Sequence, residues 1–175
     1  MRGIFMRALL SGLMLMVLTA CTSLPDRVEP VQNFELDRYL GTWYEIARLD
    51  HAFERGLSQV QAQYSLREDS GVRVINRGYD AEKKEWREAE GKAYFVEDPD
   101  TGYLKVSFFG PFYGAYVIMA LDHEDYQYSL VSGPDRDYLW ILSRSPQMDT
   151  ETLEQLVNTA REAGYPVDEL IYMEH

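Results

Sequence analysis

Arg38-Tyr39-Leu40-Gly41-Thr42-Trp43-Tyr44-Glu45-Ile46-Ala47-Arg48 is the stretch on which the fold turns. It opens as a polar turn, tightens at Gly41 and leaves as a strand. Gly41 has no Cβ, so a backbone or a bulky ring can approach it closely. Trp43 brings the largest apolar surface of any side chain and one N–H that needs a partner. The aromatic and β-branched residues after it favour a strand. A turn, a glycine and a strand that begins with tryptophan suit a barrel closed at one end, with the turn as lid and the indole sealing the floor.

Outward from this stretch the period stays at two. Strand-like runs follow at Val60 to Arg67, Val72 to Tyr79, Trp86 to Val96, Leu104 to Phe109, Tyr113 to Leu121, Tyr126 to Ser132 and Tyr138 to Ser143. Turn signals such as Asp69-Ser70-Gly71, Asp98-Pro99-Asp100 and Gly133-Pro134-Asp135 separate them. With Thr42 to Leu49 this makes eight strands joined by short connections, a pattern of sandwiches and up-and-down barrels. Then the period changes. Leu153, Leu156, Val157 and Ala160 share a helical face, with Asp149 or Thr150 as cap and Gly164 and Pro166 as stop. A short last strand is expected over Leu170 to Met173. Tyr138 to Leu142 is apolar at every position, so it should be covered on both faces. Leu139 and Ile141 are therefore expected to meet Leu156 and Val157, leaving Tyr138, Trp140 and Leu142 to face the lumen.

Three motifs carry a family resemblance. Gly41-Thr42-Trp43-Tyr44 resembles the Gly-x-Trp signature of the lipocalins. Asp135-Arg136-Asp137-Tyr138 looks like the second motif of that family, and Arg144 like the third, an arginine at the end of the last barrel strand. The likeness is greatest to the bacterial outer-membrane branch of the family. It implies an all-β fold: an eight-stranded up-and-down antiparallel barrel with one C-terminal helix packed on its outside. It also implies structural roles for Gly41, Trp43, Asp137, Tyr138 and Arg144, with the arginine lying across the tryptophan and bonding the lid turn.

The first residues read differently. Arg2 and Arg7 precede an apolar run from Ala8 to Leu18, then Leu18-Thr19-Ala20-Cys21. This is the three-part form of a secretory signal, and the run is short of the roughly 20 residues a bilayer span needs. A short membrane anchor and an ordinary signal with a chance cysteine are the alternatives. Leu-x-Ala-Cys resembles the bacterial lipobox, which implies cleavage before Cys21 and acylation of its thiol and new amine. Thr22 after it fits outer-membrane sorting. Residues 1–20 are thus expected as a lipoprotein signal peptide, 21–32 as a tether and 33–175 as the folded domain.

Composition narrows the partners. The 175-residue chain carries a net charge of -12, and loss of the segment bearing Arg2 and Arg7 takes it to -14. Electrostatics therefore draw it neither to nucleic acid nor to an anionic membrane surface. Lipid on Cys21 is a better tie to a membrane, since several acyl chains anchor durably where one does not. Cys21 is the one cysteine, so no internal disulfide can form.

An eight-stranded barrel holds either packed side chains or one small ligand. Strand parity from Trp43 points Glu45 and Ala47 inward. Ala47, Phe112, Tyr113, Tyr138, Trp140 and Leu142 are the candidate ligand contacts, each of them equally readable as core packing, and tyrosine hydroxyls are expected near the rim. Phe108 and Phe109 point to opposite faces, so one is exposed, and a homodimer contact there is one reading. No residues suggest catalysis or a cofactor. His51, His123 and His175 lack metal-ligand spacing. His51, near Glu54 and Arg55, reads as a head-group contact or, more simply, as a solvated loop histidine. Glu88, Glu90 and Glu97 read as a charged outer face, and Asp135 and Asp137 as turn residues. The expected function is a lipid carrier or store, tethered to the bacterial outer membrane and facing the periplasm, for a fatty acid or lysophospholipid used in envelope maintenance. A lipocalin-fold lipid enzyme and a lipoprotein scaffold with a filled barrel are the alternatives.

Overall fold

A computed structural model describes residues 24–175. The signal segment, Cys21 and the first residues of the tether lie outside them.

Eight antiparallel strands close into a barrel: β1 (Gly41–Arg48), β2 (Leu57–Leu66), β3 (Val72–Asp80), β4 (Glu85–Phe95), β5 (Tyr103–Phe109), β6 (Phe112–Leu121), β7 (Tyr128–Ser132) and β8 (Leu139–Ser143). Each pairs with the next, and β1 closes the ring by pairing with both β2 and β8. The strands fall within one to three residues of the sequence reading. The first strand of a hairpin sets the polarity. β1 rises from Gly41, so the turns after β1, β3, β5 and β7 gather at one end, called here the mouth. Those after β2, β4 and β6 gather at the other, the floor.

α1 (Leu36–Tyr39) is the lid turn below the floor. Gly41 follows with φ +100, a left-handed backbone that a side chain would strain. A Cβ there would also stand 3.3 Å from the Arg144 guanidinium. α2 (Thr150–Glu162) begins at the floor and climbs the outside. Asp149 caps it, its carboxylate accepting from the Thr152 N–H at 2.9 Å. Gly164, with φ +89, ends it, and the Tyr165 N–H returns to the Ala160 carbonyl. A 3₁₀ turn (Val167–Glu169) leads to β9 (Ile171–Tyr172), which pairs with Ala47 and Arg48 where β2 has diverged from β1.

Two apolar cores result, one on each side of the sheet. The outer core joins Leu156 and Ala160 of α2 to Leu139 and Ile141 of β8, with Val157 packed against it. The inner core fills the floor with Phe34, Tyr39, Trp43, Tyr64 and Leu142. β8 is sandwiched as its unbroken apolar run predicts. Residues 24–32, expected as a tether, lie along the barrel wall from Leu24 onward: Val28 is buried and Val31 exchanges backbone bonds with Ile118 and Gly102.

Candidate functional site

The floor is a finished structure. Trp43 is fully buried and its indole N–H donates to the Tyr39 carbonyl at 2.8 Å. The Arg144 guanidinium lies 4.0 Å from the centre of the indole ring, a cation–π contact. It donates to the carbonyls of Thr42 (2.9 Å), Arg38 (2.7 Å) and Tyr126 (3.2 Å), which stitches the last strand to the lid. Asp135 closes its own turn by accepting the Asp137 N–H at 2.9 Å, while Asp137 itself stays exposed.

Above Trp43 the hydroxyls of three tyrosines meet. Tyr116 lies 2.9 Å from Tyr39 and 2.8 Å from Tyr64, and Tyr39 reaches Ser129 at 3.1 Å. Tyrosine hydroxyls are expected near the rim, but this cluster sits deep: Tyr39 comes from the lid turn α1, Tyr64 from the floor end of β2 and Tyr116 from the middle of β6. Burial pushes the Tyr39 phenol up to about 12 and those of Tyr64 and Tyr116 well above their ordinary value. The network stays neutral and satisfied at physiological pH.

Over this floor the lumen is hollow. A cavity of about 260 Å³ rises from Phe34, Leu36 and Tyr39 past Val72, Val74 and Leu104. A second chamber of about 480 Å³ lies towards the mouth, between Phe53, Val106, Phe109 and Phe112. The two share Phe53, Val60, Asn76 and Phe108 in their walls, so they adjoin. Their walls are apolar with few polar groups, the composition of a small-molecule site.

Of the candidate contacts, Tyr138, Trp140 and Leu142 line the inner cavity, and Phe112 lines the outer chamber. Ala47 does not point inward. A bulge between Glu45 and Ala47 in the β1–β8 register reverses the parity, so Ala47 packs in the outer core and Arg48 takes the inward course. Tyr113 lies outside both chambers, because side chains alternate along β6 and Gly114 and Tyr116 take the inner face. Its ring instead lies near Tyr94 and under Lys105.

The bulge also builds a charged cluster at the cavity wall. Arg48, almost wholly buried, donates to Glu45 Oε1 at 2.7 Å and to the Glu54 carbonyl at 3.0 Å. The Glu54 carboxyl stands near that of Glu45 on the same wall. The Trp140 indole donates to Glu54 Oε2 at 3.1 Å. Both glutamates face the cavity, whereas Arg48 lies behind them. Burial first, and then the neighbouring Glu54 charge, push the Glu45 carboxyl up to about 8, so near neutrality Glu45 keeps its proton. His51 belongs here too. It is 4% exposed, stacked on Phe53 at 3.9 Å between ring centres, with Nε2 3.0 Å from Glu54 Oε2. A solvated loop histidine is therefore the wrong description, because the long β1–β2 loop folds back over the wall. Further along, the Asn76 Oδ1 and Ser107 Oγ atoms are buried at the outer chamber without a hydrogen-bond partner among the described residues. Glu90 turns outward and pairs with Arg73 at 2.6 Å, as a charged outer face requires. Among the described residues no three His, Cys, Asp or Glu side chains are grouped to hold a metal.

The Lipocalin-like domain matches residues 34–175, covering the whole barrel, the helix and β9. This chain belongs to the lipocalin family. It is 54% identical over 169 residues to the outer membrane lipoprotein Blc of Vibrio cholerae, spanning 97% of this chain and 99% of that one. It is 52% identical over 160 residues to the protein of the same name from Escherichia coli K12, spanning 90% of each. Temperature-induced lipocalin-1 of Arabidopsis thaliana is 37% identical over 152 residues, spanning 82% of this chain and 80% of its own. Insecticyanin from the tobacco hornworm Manduca sexta superposes with a TM-score of 0.66 at 22% identity, covering 85% of this lipocalin and 84% of insecticyanin, a likeness of fold alone. Arg144 lies over Trp43 and bonds the lid turn in this lipocalin, the arrangement that the resemblance implies, and the cluster around Glu45 is the part that no motif announced.

Proposed function

We propose that this lipocalin binds and carries a single-chain lipid amphiphile, a fatty acid or lysophospholipid, while held at the bacterial outer membrane through acylated Cys21 and facing the periplasm. The observation that carries this reading is the hollow lumen, two adjoining chambers with mainly apolar walls, closed at one end by Trp43. Each buried CH₂ contributes roughly 0.8 kcal/mol, so a long acyl chain supplies the affinity without help from charge. The relatives named as outer membrane lipoproteins support the anchor and the location. The Leu18-Thr19-Ala20-Cys21 motif supports the lipid modification. The role is that of a carrier rather than an enzyme: the Glu45 carboxyl is held by Arg48 and the Glu54 carboxyl by Trp140 and His51, and among the described residues no nucleophile stands beside a base there.

Native mass spectrometry of protein extracted gently from cells tests the reading. A co-purified lipid of defined mass is the expected result. Repeated absence of lipid, together with no uptake of a fluorescent fatty acid, would overturn it in favour of a scaffold.

A further inference from the structure

We infer that the mouth of the barrel lies against the bilayer surface, with Phe109 and Phe112 dipping into the boundary between head groups and acyl chains, so that the cavity opens onto lipid. The inference rests on the proposed acylation of Cys21 and adds an orientation to it.

The course of the N-terminal segment is the first support. At the floor, the Phe34 N–H donates to the Asp100 carbonyl in the β4–β5 turn at 2.7 Å. Eight residues earlier, the Asp26 carbonyl accepts from Arg136 Nη2 at 2.6 Å. Arg136 sits in the β7–β8 turn, at the mouth, and also holds the Ala163 carbonyl at the upper end of α2. The segment therefore runs the height of the barrel and reaches the mouth at its N-terminal end. Cys21 lies three residues before Leu24, and three extended residues reach at most about 10 Å. The floor is a strand length away, roughly 30 Å for ten residues. Acyl chains on Cys21 put the membrane beside the mouth and out of reach of the floor.

The surface of the two ends is the second support, and it does not depend on the anchor. Phe109 is 79% exposed and Phe112 77%, both at the tip of the β5–β6 hairpin, and the half-exposed Phe53 and Trp86 share that end. Adjacent large apolar side chains in water mark a contact surface. Lys83, Lys84 and Arg87 stand exposed beside Trp86, where long cationic side chains can reach head-group phosphates. The turns of the floor carry Glu68, Asp69, Asp98, Asp100, Asp122 and Glu124, and the exposed apolar side chains there, Leu66 and Val96, lie next to these acids. An anionic bilayer repels that end. The mouth turns carry exposed acids too, Asp50, Glu82, Glu85, Asp135 and Asp137, so it is the cluster of exposed aromatic rings that sets this end apart and fits an interfacial lipid surface.

The test uses the acylated mature protein in vesicles of phosphatidylethanolamine and phosphatidylglycerol. With the native thiol acylated, a single new cysteine in Phe112→Cys or in Asp98→Cys can be labelled with an environment-sensitive fluorophore, circular dichroism confirming that both variants fold. The label at position 112 is expected to shift to the blue and to be quenched by nitroxide-bearing lipid several-fold more than the label at 98. Equal quenching, or stronger quenching at 98, overturns the orientation while the anchor stands. Disulfide-linked pairs of Phe112→Cys in vesicles, without lipid quenching, assign the patch to a second copy and also overturn it. An unmodified Cys21 in protein that fails to float with the vesicles overturns the anchor and the orientation together. Quenching at 112 with no uptake of a fluorescent fatty acid sustains the orientation and overturns the carrier reading alone.

Discussion

The two ends of this barrel are built on opposite principles. At the floor every polar group of the seal has a partner: the Trp43 N–H, three tyrosine hydroxyls, Ser129 and the Arg144 guanidinium are all bonded within the protein. Towards the mouth, Arg48 Nε, His51 Nδ1, Asn76 Oδ1 and Ser107 Oγ are buried without hydrogen-bond partners among the described residues, and phenylalanines stand in water. An unmade buried hydrogen bond costs about 1–3 kcal/mol, and exposed aromatic surface forgoes its burial energy. The difference teaches that stability was concentrated below and binding capacity above, in one continuous sheet.

The comparison breaks first at the floor. Trp43→Ala should cost about 3–5 kcal/mol in urea or thermal denaturation, since it opens a cavity and leaves Arg144 without its ring. Ligand preference in the folded fraction should stay the same. Leu156→Ala, in the outer core under α2, should cost about 2–5 kcal/mol by the same measurement without altering the lumen. Tyr116→Phe should cost about 1–3 kcal/mol, because it removes the hydroxyl that Tyr39 and Tyr64 both approach.

The mouth is sharpened by pH. The Glu45 carboxyl binds its proton more tightly folded, up to about 8, than in an unfolded chain at about 4.5. Between those values the native state holds more protons, so its contribution to stability is complete below about 4.5 and is lost as the pH rises through about 8. Denaturation from pH 5 to 9 should therefore show the wild type weakening relative to Glu45→Gln as the pH climbs. A parallel pair of curves would mean that folding does not raise the proton affinity of Glu45. The smallest effect is expected at Phe112→Ser, within about 0.5 kcal/mol of wild type, because the ring is exposed. A loss there as large as that of Tyr116→Phe would erase the contrast between the ends.

The sequence by itself determined the barrel, the helix on its outside, the sealing tryptophan and the stitching arginine. The first three rest on local signals: alternation along strands, a three-to-four-residue spacing from Leu153 to Ala160, a glycine before an indole; the place of the arginine rests on the family resemblance of its motif. Tyr138, Trp140 and Leu142 were legible as lumen residues for the same reason, since β8 runs without a bulge in its pairing with β7. Only the tertiary structure decided the rest. One extra residue at Ile46 sends Ala47 outward and carries Arg48 to Glu45, and a bulge is invisible until the two strands are paired. Tyr39, Tyr64 and Tyr116 meet through sequence separations of 52 and 77 residues, and His51 is buried by a loop that folds back. Hydrogen-bond partners and burial depend on distances across the barrel, and those exist only once the sheet has closed.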